Sequence, residues 1–215
     1  MATIAIFGGT GYAGGHIRDE ALRRGHVVVS VSRKDSGKPD RPDLIQRTGN
    51  IHDAALVDQI AAEADVVVVA VRAGAQEGVR LVDVIPVLAT AAAAHDSRLG
   101  VVGGAGSLHV YEGGPRVVDM PDFPDAYKGE ALGQADTLSA LEQTPANVNW
   151  FYLSPAAEFG AHNPGEATGR FRLGGDILLG DSEGTSFISG ADYAKAFVDE
   201  IEAPAHPRRR FSVAY

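Results

Sequence analysis

Residues 4–14 read Ile4-Ala5-Ile6-Phe7-Gly8-Gly9-Thr10-Gly11-Tyr12-Ala13-Gly14, a short apolar run that passes straight into closely spaced glycines and then into a helix-favouring segment. A buried strand that turns sharply into a helix needs a residue tolerant of positive φ at the turn. A second glycine lets the backbone approach a diphosphate, and a third lets helix and strand pack closely. The unpaired amides at the positive end of such a helix are a seat for phosphate, supplied by backbone with little need of charged side chains. Both Gly8-x-x-Gly11-x-x-Gly14 and Gly9-x-Gly11-x-x-Gly14 are present, with a strand before and a helix after, which is the context a dinucleotide cradle requires. No Gly-Lys-Ser or Gly-Lys-Thr occurs in the loop, so a mononucleotide P-loop is excluded.

Outward from this stretch, strand-like runs fall at 3–7, 26–31, 65–71, 98–102 and 149–153, with helical stretches at 13–24, 54–63, 77–95 and 135–143. The valine runs at 27–29 and 66–69 are apolar on both faces, as in a parallel sheet covered by helices on each side. Gly25 closes the first helix and Asp53 caps the second. The region from Gly103 to Asp136 is rich in Gly, Pro and Asp, and with 154–190 it predicts substrate-side loops leaving the carboxyl ends of strands. A helix at 191–202, with Ser189 as its cap and Asp192 in its first turn, and a strand at 210–213 complete the chain. The expectation is one 215-residue domain of Rossmann type: α/β, doubly wound, mainly parallel, with a small C-terminal substrate-side extension.

Composition narrows the chemistry. No cysteine is present, which removes thiolate catalysis, disulfides and zinc-thiolate or iron–sulfur sites. The formal charge of −9 disfavours nucleic acid and anionic membrane as partners, and Arg208-Arg209-Arg210 reads as a solvated edge. The densest apolar run, Val66 to Val71, is far shorter than the roughly 20 residues of a membrane span, and no targeting segment precedes the cradle, so the chain reads as cytoplasmic. A homodimer is compatible with this composition.

About 20 residues beyond the glycines, where a carboxylate would bind the ribose hydroxyls of NAD, the chain has Ser32-Arg33-Lys34. A carboxylate would repel a 2′-phosphate, whereas a guanidinium clasps it with paired hydrogen bonds, so NADP(H) is expected over NAD(H).

These segments resemble the atypical short-chain dehydrogenase/reductases, close to the NADH-flavin reductase and NmrA-like branch. The resemblance rests on the glycine stretch, Ser32-Arg33, Gly49-Asn50-Ile51-His52-Asp53, the run from Val102 to Leu108, the run from Trp150 to Ala156, and Ser189 to Ala194. It implies that Asn50 and Ile51 flank the adenine, that Ala70, Val71 and Arg72 pass along the cofactor, and that Gly104, Ser107 and Pro155 lie near the nicotinamide. Ordinary members also require a tyrosine with a lysine four residues on, and none of the six tyrosines has one. Flavin or quinone reduction does not need that pair, because the acceptor takes hydride once it is stacked correctly. The flavin reductases of the branch carry a histidine after the late proline, where this chain has Ala156.

The expected activity is therefore NADPH-dependent reduction of a planar small-molecule acceptor, with FMN or another flavin among the substrates. Ser107, Tyr127 and His162 are the candidate catalytic groups. A non-catalytic NADP(H) sensor of the NmrA type and a sugar-nucleotide epimerase or dehydratase are the alternatives. Metal binding is not expected, since no His-Glu-x-x-His occurs, and Gly106-Ser107 lacks the frame of a hydrolase elbow. Asp119, Asp122 and Asp125, interleaved with prolines, read as a hydrated loop edge.

Overall fold

A computed structural model describes residues 1–35, 39–74 and 78–215. Eight strands form one sheet: β1 (Thr3–Phe7), β2 (Val27–Ser32), β3 (Leu44–Thr48), β4 (Val66–Val69), β5 (Arg98–Val102), β6 (Trp150–Ser154), β7 (Arg172–Gly174) and β8 (Arg209–Ala214), in the order β3-β2-β1-β4-β5-β6-β8-β7. All neighbours pair in parallel except β7 and β8. The chain starts in the middle of the sheet, winds outward to β3, then crosses back to β4 and winds the other way. This is the Rossmann order, whose point of reversal lies between β1 and β4.

Five helices, α1 (Tyr12–Arg23), α2 (Ala54–Glu63), α3 (Leu81–His95), α4 (Asp125–Glu142) and α5 (Gly190–Glu202), cover the faces. The two-residue period of the strands sorts the core. Ala5, Phe7, Val67, Val69, Val101 and Tyr152 point into a layer with α2, α3 and α4. Ile4, Ile6, Val66, Val68, Phe151 and Leu153 point into the opposite layer with α1 and α5. Valine runs apolar at every position are the sequence form of this two-sided burial.

Several expected boundaries change. Helix α4 begins at Asp125, ten residues before the expected 135, inside what reads as loop. Its buried face is built from Ala131, Gly133, Gln134, Ala135 and Thr137 before Leu138 and Leu141, so the first turns lack an apolar period. Strand β3 lies at the sheet edge and is only half-buried, so its polar Gln46 and Arg47 hide it among loop residues. The helix expected from 77 starts at Leu81; residue 77 itself lies outside the described residues. Arg208 and Arg210 are not a solvated edge. Arg208 donates to the carbonyls of Thr144, Pro145 and Val148, and Arg210 is held between Asp176 and Ser107, leaving Arg209 as the exposed member. Asp53 caps α2 through the amides of Ala55 and Leu56, and Ser189 caps α5 through that of Asp192, as their positions predict.

Arg98, at the start of β5, is buried against the carboxylate of Glu200 near the end of α5, and it also donates to the Glu200 carbonyl at 2.8 Å. Burial alone would raise the Glu200 pKa, but hydrogen bonds from Arg98, His206 and the Ala205 amide outweigh it and hold the carboxyl below the usual range. A group depressed in the folded state stabilises the fold above its ordinary pKa and ceases to do so as pH falls through the depressed value. Denaturant unfolding of Glu200→Ala should show a loss of about 3–5 kcal/mol at neutral pH, because Arg98 is left buried without a counter-charge. For the wild-type protein the same measurement should show stability falling only below about pH 4.3, the ordinary glutamate value.

Candidate functional site

The first cleft is built by the turn after β1. Gly8 has φ of 89° and its N–H donates to the Val31 carbonyl at 2.9 Å, while a Cβ there would collide with the carbonyl of Ala70 at the end of β4. A Cβ on Gly14 would collide with the carbonyl of Gly8, so helix α1 lies directly on the turn. The first helical bond runs from Gly15 N–H to Gly11 carbonyl at 2.8 Å, and the N-cap Gly11 supplies no side-chain cap. The leading amides of α1, from Tyr12 and Ala13, are thus left to an external acceptor.

Around this turn lies a cleft of about 280 Å³, walled by Gly8, Thr10, Gly11, Ser32, Arg33, Asn50, Ile51, Ala70, Val71 and Arg72, with His52. Ten of the residues singled out from sequence are brought to one surface here. Others serve behind it: Gly9 lies against the Ser30 hydroxyl, and Lys34 is exposed, its carbonyl accepting the Ser32 hydroxyl at 2.7 Å. Among the described residues this wall includes Arg33 and Arg72 and no Asp or Glu.

A larger cavity of about 740 Å³ opens over the ends of β5 and β6. Gly104 and Pro155 line it, as do Tyr127 and His162, with Val110, Val117, Met120, Phe123, Phe159 and Leu178 supplying apolar surface. Ser107 is buried and outside this wall, its hydroxyl accepting from Arg210 at 2.8 Å.

Two residues not singled out from sequence frame the cavity. The Glu130 carboxylate accepts the N–H groups of Ala73 at 2.8 Å and Gly74 at 3.0 Å, tying α4 to the loop that follows β4. Gln134, one turn on, accepts from the Tyr152 hydroxyl at 3.1 Å, and that hydroxyl in turn accepts the Gly104 N–H at 3.1 Å. Burial pushes the Tyr152 phenol well above its ordinary pKa, so it stays protonated. Between these contacts Gly133 lies so close to Ala73 that a Cβ would sit 3.0 Å from its carbonyl oxygen. A lone helical Glu followed four residues later by Gln gives no sequence signal, because the partners of Glu130 are backbone amides 57 and 56 residues away and that of Gln134 is a tyrosine hydroxyl 18 residues on.

The pattern of the NAD(P)H-binding family matches residues 8–204, from the turn glycine to beyond α5. The chain belongs to that family. This NAD(P)H-binding protein is 36% identical over 211 residues to YwnB, an uncharacterized protein of Bacillus subtilis strain 168, covering 98% of this chain and 97% of that one. It superposes with a TM-score of 0.87 on a Streptococcus pneumoniae TIGR4 protein described as a "putative NADH-flavin reductase", at 33% identity over 100% of this chain and 99% of that one. A Bacteroides thetaiotaomicron protein described as a "putative epimerase" gives a TM-score of 0.88 at 29% identity, over 99% and 96% of the two chains. Among the described residues no His, Asp and Glu cluster could hold a metal ion, and no helix is long and apolar enough to cross a membrane.

In this NAD(P)H-binding protein Tyr12 does more than continue the glycine motif. Its hydroxyl accepts the Gly190 N–H at 3.1 Å and faces the Pro164 carbonyl, while its ring packs on Phe159 of the larger cavity. Asp192, buried at the start of α5, accepts the Thr168 and Gly169 amides and the Tyr215 hydroxyl. The segment between β6 and α5 is thereby strapped to α1 and α5. Tyr12→Phe should speed amide exchange at Gly190 and cost about 1 kcal/mol in stability; unchanged exchange at that amide would show that the hydroxyl does not restrain the strap.

Proposed function

We propose that the protein is an NADPH-dependent reductase that passes hydride to a flavin, quinone or similar planar acceptor seated in the larger cavity. The observation that carries this reading is the pairing of two openings over neighbouring strand ends, a cleft with Arg33 and, among the described residues, no acidic wall residue beside a roomy, largely apolar cavity. A bound reduced nicotinamide supplies the hydride. The α1 amino end and the Gly8–Gly11 turn hold the diphosphate, Arg33 and Ser32 take the 2′-phosphate, and Asn50 with Ile51 flank the adenine.

The loops after β5 and β6 set the relative position of the two openings. Tyr152 fixes the Gly104 turn through its amide, and Glu130 fixes the loop carrying Ala70 to Arg72 through the amides that follow. The acceptor is then held flat between apolar walls, excluded from water, which is the positioning that hydride transfer to an electron-poor ring needs. Tyr127 and His162 stand on the cavity wall as groups able to contact it, whereas Ser107, turned to Arg210, serves the shape of the loop. No tyrosine in the chain has the lysine partner of a carbonyl reductase, which supports an acceptor that needs no dedicated acid. The reading includes a cytoplasmic location.

Purified protein should oxidise NADPH, followed by loss of nicotinamide absorbance, when a quinone or flavin is added; no consumption above background with any of them overturns the reading. Arg33→Asp should weaken NADPH binding by about 1.5–3 kcal/mol, the worth of a charge-assisted contact, which is roughly a 10- to 100-fold rise in Kd, with NADH spared. Equal losses for both cofactors would remove Arg33 from the 2′-phosphate.

A further inference from the structure

The two openings differ in charge as well as in size. The proposed cofactor cleft is lined by Arg33 and Arg72 and, among the described residues, by no Asp or Glu. The larger cavity is lined by Asp122, Glu130 and Glu158 and, among the described residues, by no Lys or Arg, with Tyr127 and His162 as its other titratable side chains. Glu130 accepts from the Ala73 and Gly74 amides and the Gln134 side chain, and Glu158 from the Asn163 side chain at 3.3 Å, so among the described residues both are held by neutral donors. Arg116, on the loop that helps to wall the cavity, is paired with Asp119 at 2.7 Å.

We infer that the larger cavity selects an uncharged planar acceptor, a quinone or a flavin ring without phosphate, and rejects phosphate-bearing flavins. The inference deepens the proposed reductase function and rests on it for the identity of the ring. Its physical basis is separate: a phosphate entering past the exposed carboxylates of Asp122 and Glu158 toward Glu130 meets like charge with no cation on the wall to offset it, while a neutral ring meets no such repulsion. The same contrast assigns the ligands to their openings, since among the described residues arginines line the smaller cleft and none lines the larger cavity.

Riboflavin and FMN separate the charge from the ring, because they share the isoalloxazine and differ by one phosphate. With the protein saturated in NADP⁺, quenching of flavin fluorescence should give riboflavin an affinity at least about tenfold above that of FMN at low ionic strength. Raising the salt shortens the screening length from about 10 Å at 0.1 M to about 3 Å at 1 M and should narrow the ratio. Asp122→Asn with Glu158→Gln should narrow it too; both side chains are exposed, so the fold is not at risk. FMN binding as tightly as riboflavin, a ratio indifferent to salt and to the double variant, or no binding of either flavin would each overturn the inference. Riboflavin binding without hydride transfer to riboflavin or any quinone would instead leave the selectivity standing and remove the reductase reading.

Discussion

Everything at the site depends on the crossing of three backbone segments at Gly8. The turn folds back with positive φ against the Ala70 carbonyl, and Gly14 rests on the carbonyl of Gly8, so β1, β4 and α1 meet with no side chain between them. That contact brings the amino end of α1 to the carboxyl edge of the sheet at the point where strand order reverses. A side chain at either glycine would push the helix away and carry its free amides out of reach of a phosphate.

From this crossing the rest of the molecule extends in two directions. Toward β2 and β3 the wall becomes basic and narrow, ending at Arg33. Toward β5 and β6 it becomes wide, apolar and acidic, framed by Tyr152, Gln134 and Glu130. The two sides are mechanically joined: Glu130 spans from the α4 wall to the loop behind the smaller cleft, and Tyr12 spans from the α1 turn to Phe159 and the start of α5. The two openings therefore share supports, which suits the proposed reaction, in which two planar rings must face each other closely.

The sequence displays the parts whose physics is local. Strand β1, helix α2, and the caps Asp53 and Ser189 can be read from neighbours within four residues, and the doubly apolar valine runs announce a sheet buried on both faces. The residues that line the smaller cleft are legible for the same reason: a glycine turn and the Ser32-Arg33 strand end are local signals. What stays hidden depends on distant partners. The front half of α4 packs through alanines and Gly133 because it presses on Ala73, and small residues carry no hydrophobic period. Edge strand β3 has one sheet neighbour and polar residues. Arg210 looks like part of a solvated cluster until β8 is placed beside β6 and its side chain meets Ser107, the same contact that turns Ser107 from the cavity. Glu130 is visible only when the amides of Ala73 and Gly74 are in space beside it.

The central claim is that the amide-lined turn between Phe7 and Tyr12 seats the paired phosphates of a pyridine dinucleotide. Amide hydrogen exchange measured with and without NADP⁺ tests it at the atoms concerned. The account requires marked protection of the backbone amides of Thr10, Tyr12 and Ala13 when the cofactor is added, with little change along the distant strand β7. Saturating cofactor that leaves those three amides exchanging as in the free protein would contradict it.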